Sequence, residues 1–187
     1  STAASGFPGH TRINSGSDFV TSTSAIGTWT INLGAATGNN DAGLNVVLGN
    51  ATINNNIVVT ANSGSAVFRI VNSGASNQAV TYGGVVTLND DLTLVTGIGG
   101  GNITFNNAIN GPASGTATVT HDGLGAVTFS ATNGLGSNIN IVQNAGSFSL
   151  SGSNSSFNGT VTINGGQFSA SANSFANTDP RVAAFGS

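Results

Sequence analysis

The sequence predicts an all-β fold, a parallel β-helix (β-solenoid) with irregular segments at both ends. This prediction rests on a repeated unit that consists of a Thr-rich apolar strand, an Asn/Gly turn, a second such strand and a second turn. We call the unit a cassette, and it is clearest over residues 102–171. The cassette recurs about every 20 residues, a period typical of solenoids, in which each coil buries its apolar face only against the next coil. The 187 residues provide for roughly seven to nine coils, or a rod of roughly 35 to 45 Å.

Two interleaved series of apolar residues mark the repeat. Their members are Phe105, Phe129, Leu150 and Ala170 in the first series, and Val119, Ile141 and Ile163 in the second. In both series successive members are separated by roughly 20 to 24 residues, which is a spacing typical of solenoid repeats. Two series with one period predict two strand faces per coil.

Upstream of residue 104 the pattern is less regular. Phe68, Val86 and Ile103 are spaced more closely than the members of the downstream series, whereas Val59 and Val80 keep the downstream spacing. This change predicts coils that are shorter or differently looped.

Strand character follows from the alternation of apolar residues with Thr, Ser or Asn, as at 92–94, 127–130 and 161–164. A period of two places one set of side chains inside and the other in solvent. Asn-Gly turns separate the strands, because Asn and Gly accept the positive φ that a tight corner requires. These turns begin at Asn110, Asn133, Asn158 and Asn164.

The composition argues against a nucleic-acid binder and favours association between chains. The net charge is -3, and Arg12, Arg69 and Arg181 are too few to neutralise a phosphate track. Charged residues are 5% of the chain, so little repulsion opposes strand pairing between copies. Because the chain begins at Ser1 and has no apolar run long enough to span a bilayer, we expect a secreted protein whose signal peptide has been removed.

The two ends of the sequence lack the coil rhythm. We divide the chain into an N-terminal segment (1–27), a solenoid (28–173) and a C-terminal segment (174–187). Terminal coils expose unpaired backbone and apolar core, so these segments either cap a monomer or link subunits by strand addition. The residues predicted to make the self-assembly contact are Phe7, Phe19, Val20, Val182 and Phe185.

The titratable residues form no catalytic pattern, and we predict no enzyme activity, no cofactor and no metal site. Polysaccharide-cleaving β-helices need two or three clustered carboxylates, whereas here only Asp90 and Asp91 are adjacent. We interpret them as a polar turn, with a weak Ca²⁺ site as the alternative. His121 and Asp122 are interpreted as a turn after a strand at 116–120, because a hydrolase triad would need a G-x-S-x-G motif that the chain lacks.

Thr-x-Thr pairs suggest ice binding as a further hypothesis. They begin at Thr21, Thr28, Thr116 and Thr118. A Thr array that binds ice needs the motif at one position in most consecutive coils, and the segments 140–142 and 162–164 interrupt it. Thr is otherwise a favourable exposed strand residue.

Residues 123–133, GLGAVTFSATN, resemble the start of the autotransporter-associated β-strand repeat. A second similar copy reads FSLSGSN at 148–154 and FNGTVTINGGQF at 157–168, with Phe157, Val161 and Phe168 in place of the usual Tyr, Thr and Leu. One extra residue separates Asn154 from Phe157. The resemblance covers about residues 103–170, and it implies a right-handed parallel β-helix on a bacterial surface or in an extracellular matrix.

Together these features predict a non-enzymatic extracellular protein that assembles with itself head to tail as the subunit of a surface fibre or matrix. The alternative is a monomeric autotransporter-type adhesin passenger whose lateral face binds a glycan or a host surface. A row of exposed aromatic residues would favour the adhesin, but Trp29 and Tyr82 are far apart in the sequence. Ice binding and polysaccharide degradation remain as further hypotheses.

Overall fold

The described part of the chain is an all-β solenoid of parallel strands, which confirms the predicted fold class. The computed structural model describes residues 11–75, 78–97, 101–132, 134–154 and 156–171. Over these residues the strands stack into three sheets, which we call A, B and C.

Each sheet is a stack of parallel strands taken from successive coils. Sheet A contains β1 (Thr11–Ile13), β3 (Ile31–Leu33), β6 (Ile57–Val59), β9 (Val86–Leu88) and β12 (Ile109–Asn110). Sheet B contains β2 (Gly16–Val20), β4 (Ala42–Val46), β7 (Phe68–Asn72), β10 (Leu92–Thr96), β13 (Ala117–Gly123), β15 (Ile139–Gln143) and β17 (Val161–Ile163). Sheet C contains β5 (Ala51–Ile53), β8 (Ala79–Tyr82), β11 (Asn102–Phe105), β14 (Ala126–Phe129), β16 (Ser147–Leu150) and β18 (Gln167–Ala170).

A complete coil contributes one strand to each sheet. β6, β7 and β8, for example, follow one another along the chain and lie in sheets A, B and C. The seven described strands of sheet B define six coil-to-coil steps. At about 4.8 Å per step, the described stack is about 29 Å tall.

The two predicted strand series are largely confirmed. Each residue of the first series pairs with the next one, in sheet C. In the second series Val119 pairs with Ile141, as predicted. The last step is wrong, because Ile141 pairs with Val161, and Ile163 lies further along the same strand.

Sheet A is the part of the coil that the sequence pattern missed. Its described strands are only two or three residues long, too short to show an alternation. The upstream residues that the pattern grouped into one series therefore belong to different sheets: Phe68 lies in sheet B, Val86 in sheet A and Ile103 in sheet C. Val59 and Val80 also lie in different sheets, A and C.

The upstream coils are longer than the downstream ones, so the prediction of shorter coils is wrong, whereas the alternative of different loops is confirmed. Ala42 pairs with Phe68 and Ala51 pairs with Val80, whereas near the other end of the stack Ser147 pairs with Gln167. The extra residues lie in corners such as 60–67, between β6 and β7. Solenoids tolerate such insertions because the strands on either side still meet their partners in the next coil.

The interior contains a stack of aromatic rings along sheet C. Neighbouring ring centroids are 5.0 to 5.6 Å apart, and the ring planes are inclined by 13° to 30°. The rings belong to Tyr82, Phe105, Phe129, Phe148 and Phe168. Such pairs contribute about 0.5–1.5 kcal/mol beyond the burial of their area. The aromatic stack therefore stabilises the coil-to-coil register as well as the core.

Asn and Asp side chains at the corners join one coil to the next. Asp91 Oδ1 accepts a hydrogen bond from the Thr118 N–H at 2.7 Å, and Asn102 Oδ1 accepts one from the Ala126 N–H at 2.9 Å. Backbone N–H groups of the next coil are bonded in the same way by Asn50, Asn56 and Asn140. The corners thus satisfy amides that no strand partner reaches.

Residues 11–27, which the sequence placed in a terminal segment without coil rhythm, form the first described coil. β1 pairs with β3 and β2 pairs with β4. A short 3-10 helix, Thr23–Ile26, lies against β5. The pattern missed this coil because Phe19 and Val20 are adjacent, so the apolar residues of β2 do not alternate. The solenoid therefore includes residues before 28, and a capping or linking role for this segment stays a prediction. Residues 174–187 lie outside the described residues.

Tyr82 provides a test of the aromatic stack. Its hydroxyl is buried and makes no hydrogen bond with the described residues, and burial raises the pKa of Tyr82. An unpaired buried hydroxyl costs about 1–3 kcal/mol, so we expect Tyr82→Phe to raise the free energy of unfolding in urea by about 1 kcal/mol. The matched variant Phe105→Tyr adds a hydroxyl to the next ring of the aromatic stack, and we expect it to lower the free energy of unfolding. A lower free energy of unfolding in Tyr82→Phe would contradict this account.

Candidate functional site

The adjacent carboxylates Asp90 and Asp91 hold neighbouring coils together. Asp90 Oδ2 accepts a hydrogen bond from the Asn62 N–H at 2.8 Å, and Asp91 Oδ1 accepts one from the Thr118 N–H at 2.7 Å. Asp90 Oδ1 also accepts a hydrogen bond from the Asp91 N–H at 2.8 Å. Both residues lie between β9 and β10, which confirms the predicted polar turn. Backbone amides therefore engage oxygens that a Ca²⁺ site would need.

The carboxylates do not converge on one site. Asp91 directly precedes β10, whereas Asp122 pairs with Val95 near the end of that strand. Asp122 Oδ1 accepts a hydrogen bond from Asn144 Nδ2, and Asn144 Oδ1 accepts one from Asn164 Nδ2, which makes a ladder through three coils. No group of three or more His, Cys, Asp or Glu side chains in the described ranges is arranged to hold a metal ion.

Asp41 and Arg69 form an ion pair on the surface. Arg69 Nη1 lies 2.7 Å from Asp41 Oδ2, and the Val67 N–H donates to Asp41 Oδ1 at 2.9 Å. The hydrogen bond from Arg69, followed by that from Val67, lowers the pKa of Asp41. Because both side chains are exposed, the pair contributes little to stability.

His121 is buried within β13, and its predicted position in a turn is wrong. The strand continues to Gly123 because His121 keeps the inward alternation and finds polar partners inside the coil. Its Nε2 lies 3.1 Å from Thr96 Oγ1, and its Nδ1 lies 2.9 Å from Gln143 Oε1. Four buried polar residues near this corner between sheets B and C form what we call the buried polar column: Asn72, Thr96, His121 and Gln143. Thr96 pairs with Asn72 and His121 pairs with Gln143, and the contact between Thr96 and His121 joins the two pairs, which lie at different register positions.

The surrounding bonds specify the protonation state of His121. Gln143 Nε2 donates to the Ala145 carbonyl, so Gln143 Oε1 is left to accept from His121 Nδ1–H. Burial lowers the pKa of His121 and keeps the ring neutral, so with Nδ1 protonated Nε2 is an acceptor, and Thr96 Oγ1, which also accepts from the Gly125 N–H at 2.9 Å, donates to it. These roles assign the neutral Nδ1–H tautomer. With both ring nitrogens engaged inside the coil, His121 has a structural role.

The residues predicted to make the self-assembly contact differ in exposure. Phe19 is 59% exposed, on the outward face of β2. Val20 is 1% exposed and pairs with Val46, so its side chain points into the core of this chain, and its role in a contact between copies stays a prediction. Three further residues, Phe7, Val182 and Phe185, lie outside the described residues.

The Thr-x-Thr pairs do not form a double column. In sheet B, Thr118 pairs with Asn140 and Thr120 pairs with Val142, so the motif ends after one coil. Sheet C instead carries a single outward column of hydroxyl side chains in six successive strands. Its members are Thr52, Thr81, Thr104, Thr128, Ser149 and Ser169. The second Thr of an ice-binding motif is replaced in the neighbouring column by Ala, Asn, Ser or Gln.

A polar groove of about 450 Å³ opens beside the first described coil. It lies between residues 23–28, which connect β2 to β3, and the end of β5. Its lining residues are Thr23, Ser24, Gly27, Thr28, Thr52, Asn54 and Asn55. All seven are uncharged, and six of them offer a side-chain hydroxyl or amide.

Asn55 holds one wall of this groove in place. It is 6% exposed, and its Nδ2 donates to the carbonyls of Gly27 at 3.2 Å and Trp29 at 2.6 Å. Gly27 has a φ of +61°, a conformation that favours glycine. The indole of Trp29 is 46% exposed, and its Cδ1 lies 3.4 Å from the position that a Cβ on Gly27 would occupy. An exposed tryptophan therefore borders a polar, uncharged groove.

The sequence did not reveal this groove. Trp29 stands out as the only tryptophan of the chain, but Asn54 and Asn55 belong to the following coil. Their proximity to Trp29 depends on the length of that coil, which the sequence pattern predicted incorrectly.

A second groove, of about 640 Å³, runs along the corner between sheets B and C. Its exposed apolar residue is Leu124, which is 71% exposed, beside Val71 and Val95. Two of its polar side chains are already bonded, Asp122 to Asn144 and Thr96 to His121 and Gly125. This groove is therefore mainly apolar.

Comparisons of the chain with protein-family models, with curated proteins and with solved structures found no match. The class that the fold defines is a parallel β-solenoid, and membership of the autotransporter repeat family stays a prediction. No helix among the described residues has the length and apolarity that crossing a membrane would require.

The buried polar column makes stability depend on pH. Burial lowers the pKa of His121, and the Gln143 hydrogen bond and the Asp122 charge oppose this effect only in part. In the unfolded chain the pKa is about 6.5. The contribution of neutral His121 is therefore fully present above about pH 6.5 and is lost as the pH falls towards the lower pKa of the folded state.

We expect the free energy of unfolding of the wild type, measured in urea relative to His121→Gln, to fall between about pH 7.5 and pH 5. Both proteins contain the same carboxylates and His10, so the difference between their free energies of unfolding cancels the pH dependence that those groups contribute. Parallel pH profiles for the two proteins would contradict the buried neutral state of His121.

Proposed function

We propose that this chain is a non-enzymatic structural protein of the bacterial cell surface or extracellular matrix, a subunit that assembles head to tail into a fibre. The observation that supports this most is the use of its polar side chains. Asp90, Asp91 and Asp122, the carboxylates a β-helix enzyme would need, are each bonded to a neighbouring coil. These carboxylates therefore stabilise the stacking of coils.

The geometry of the stack is compatible with continuation into a second copy. All described pairs are parallel, so the first and last strands of the described stack have complementary backbone edges. β1 and β2 are the first described strands of sheets A and B, and β17 and β18 are the last of sheets B and C. Head-to-tail contacts between such ends propagate as filaments.

Two side chains of β2 have opposite effects on such a contact: Phe19 would favour it and Asp18 would oppose it. Phe19 is 59% exposed on the outward face and would gain burial against a second copy. Asp18 pairs with Leu44 in the inward-facing column of sheet B, yet its side chain is exposed, unlike that of Val20 on the same face of β2, which is the first described strand of that sheet. An inward-pointing charge on an edge strand opposes strand addition. Asp18 would therefore limit the rate or extent of assembly.

The adhesin alternative is favoured by one observation, the exposed Trp29 beside the polar groove. Tyr82 does not support it, because its side chain is fully buried in the aromatic stack. The two functions are compatible, since a fibre subunit can also carry a lateral binding site.

Electron microscopy of the purified chain at neutral pH tests the assembly. We expect wild-type filaments, several-fold more or longer filaments with Asp18→Asn because the edge charge is removed, and fewer with Phe19→Ser. Ser17→Asn is the matched control, because Ser17 faces outward on the same strand and should leave assembly unchanged. Dispersed short rods in the wild type and in every variant would rule out the fibre and favour the adhesin.

A further inference from the structure

We propose that the polar groove beside Trp29 is a binding site for a neutral carbohydrate. This binding activity is separate from assembly, because the groove lies on the side of the coil, at the corner between β5 and the connection from β2 to β3. It would attach a fibre or a monomer to a neutral polysaccharide.

The buried side chain of Asn55 is the first argument. Its Nδ2 is used by the carbonyls of Gly27 and Trp29, but its Oδ1 accepts no hydrogen bond from any described residue. The residue as a whole is 6% exposed, but among the described residues only the Tyr82 hydroxyl is a fully buried side-chain atom without a partner, so Asn55 Oδ1 is open at the surface of the groove. Asn55 lines the groove, so a ligand hydroxyl can donate to this oxygen.

The chemistry of the remaining wall matches a sugar. Asn54 and Thr52 are exposed on one side, and Thr23, Ser24 and Thr28 are exposed on the other. Amides and hydroxyls both donate and accept, as the hydroxyls of a sugar do. The volume of about 450 Å³ falls in the range of about 300–1,000 Å³ typical of small-molecule sites.

Trp29 provides the apolar part of the contact. A pyranose ring has an apolar C–H face and polar edges, and an exposed indole offers a flat apolar surface with one N–H donor. The indole edge lies against Gly27, which itself lines the groove. Trp29 lies beside the lining residues rather than among them, so an oligosaccharide that extends from the groove past Gly27 would meet the indole while its hydroxyls reach the amides.

The lack of charge decides which kind of ligand fits. None of the seven lining residues is Arg, Asp or His, so the groove has no cation for an anionic sugar and no anion for a basic peptide. Burying an unpaired ligand charge there would be costly. Neutral oligosaccharides avoid this cost.

The emission of Trp29 reports on this site directly, because the chain has no other tryptophan. The probes are cellopentaose, maltopentaose and chitopentaose, each titrated to about 10 mM, above a weak Kd of about 1 mM. We expect at least one of them to shift the emission in a saturable way. Trigalacturonate, a shorter anionic probe that carries a carboxylate on each sugar unit, should bind at least tenfold more weakly than the best neutral sugar.

Variants separate the groove from the rest of the surface. Asn54→Ala removes an exposed amide and should weaken binding about tenfold, as loss of one hydrogen-bonding group does. Trp29→Ala, followed by calorimetry, should abolish binding. Thr104→Ala is the matched control, because Thr104 lies in the same outward column as Thr52 but two coils away from it, and it should bind as the wild type does.

The proposal is overturned if none of the three neutral sugars shifts the emission, if trigalacturonate binds equally well, or if Asn54→Ala and Trp29→Ala bind like the wild type. The same variants examined by electron microscopy keep the two proposals apart. A chain that forms no filaments but binds a sugar would contradict the assembly alone.

Discussion

Main-chain hydrogen bonding between successive coils is the interaction on which the rest of this solenoid depends. A strand has no partner in its own coil, so the coils before and after it must satisfy its backbone groups. Register is therefore kept while coil length varies, from the short coil between β16 and β18 to the long one between β5 and β8. The corners absorb the difference, and some allow only glycine. Gly123 has a φ of +117°, and a Cβ there would collide with the Thr96 carbonyl oxygen.

The interior divides into an apolar part and a polar part. Stacked rings along sheet C repeat the coil spacing, and four of the five, Tyr82, Phe105, Phe129 and Phe148, are buried. At the corner between sheets B and C, inward positions carry Asn72, Thr96, His121 and Gln143, which bond backbone groups of the corner or one another. Placing polar side chains where the backbone bends satisfies amides that an apolar column would leave unpaired. Both columns stabilise the same register.

A surface almost without charge has two consequences for function. Asp90, Asp91 and Asp122 serve as acceptors for neighbouring coils, which leaves self-association and neutral ligands as the interactions most compatible with this composition. The groove at Trp29 combines an exposed indole with amides and hydroxyls, and its shape depends on Asn55 holding the connection from β2 to β3. The lateral surface and the ends of the solenoid can therefore act independently.

The sequence by itself determined the parallel solenoid, the strand series of Phe105, the first step of the Val119 series and the polar turn at Asp90, because alternation and period are local properties that longer strands display. It did not determine sheet A, whose strands are too short to alternate, or the first coil, whose apolar residues Phe19 and Val20 are adjacent. Only the tertiary structure decided that His121 is buried and that Asn55 meets Trp29. Both depend on which residues of different coils are paired, and corner lengths that no local pattern encodes set that pairing.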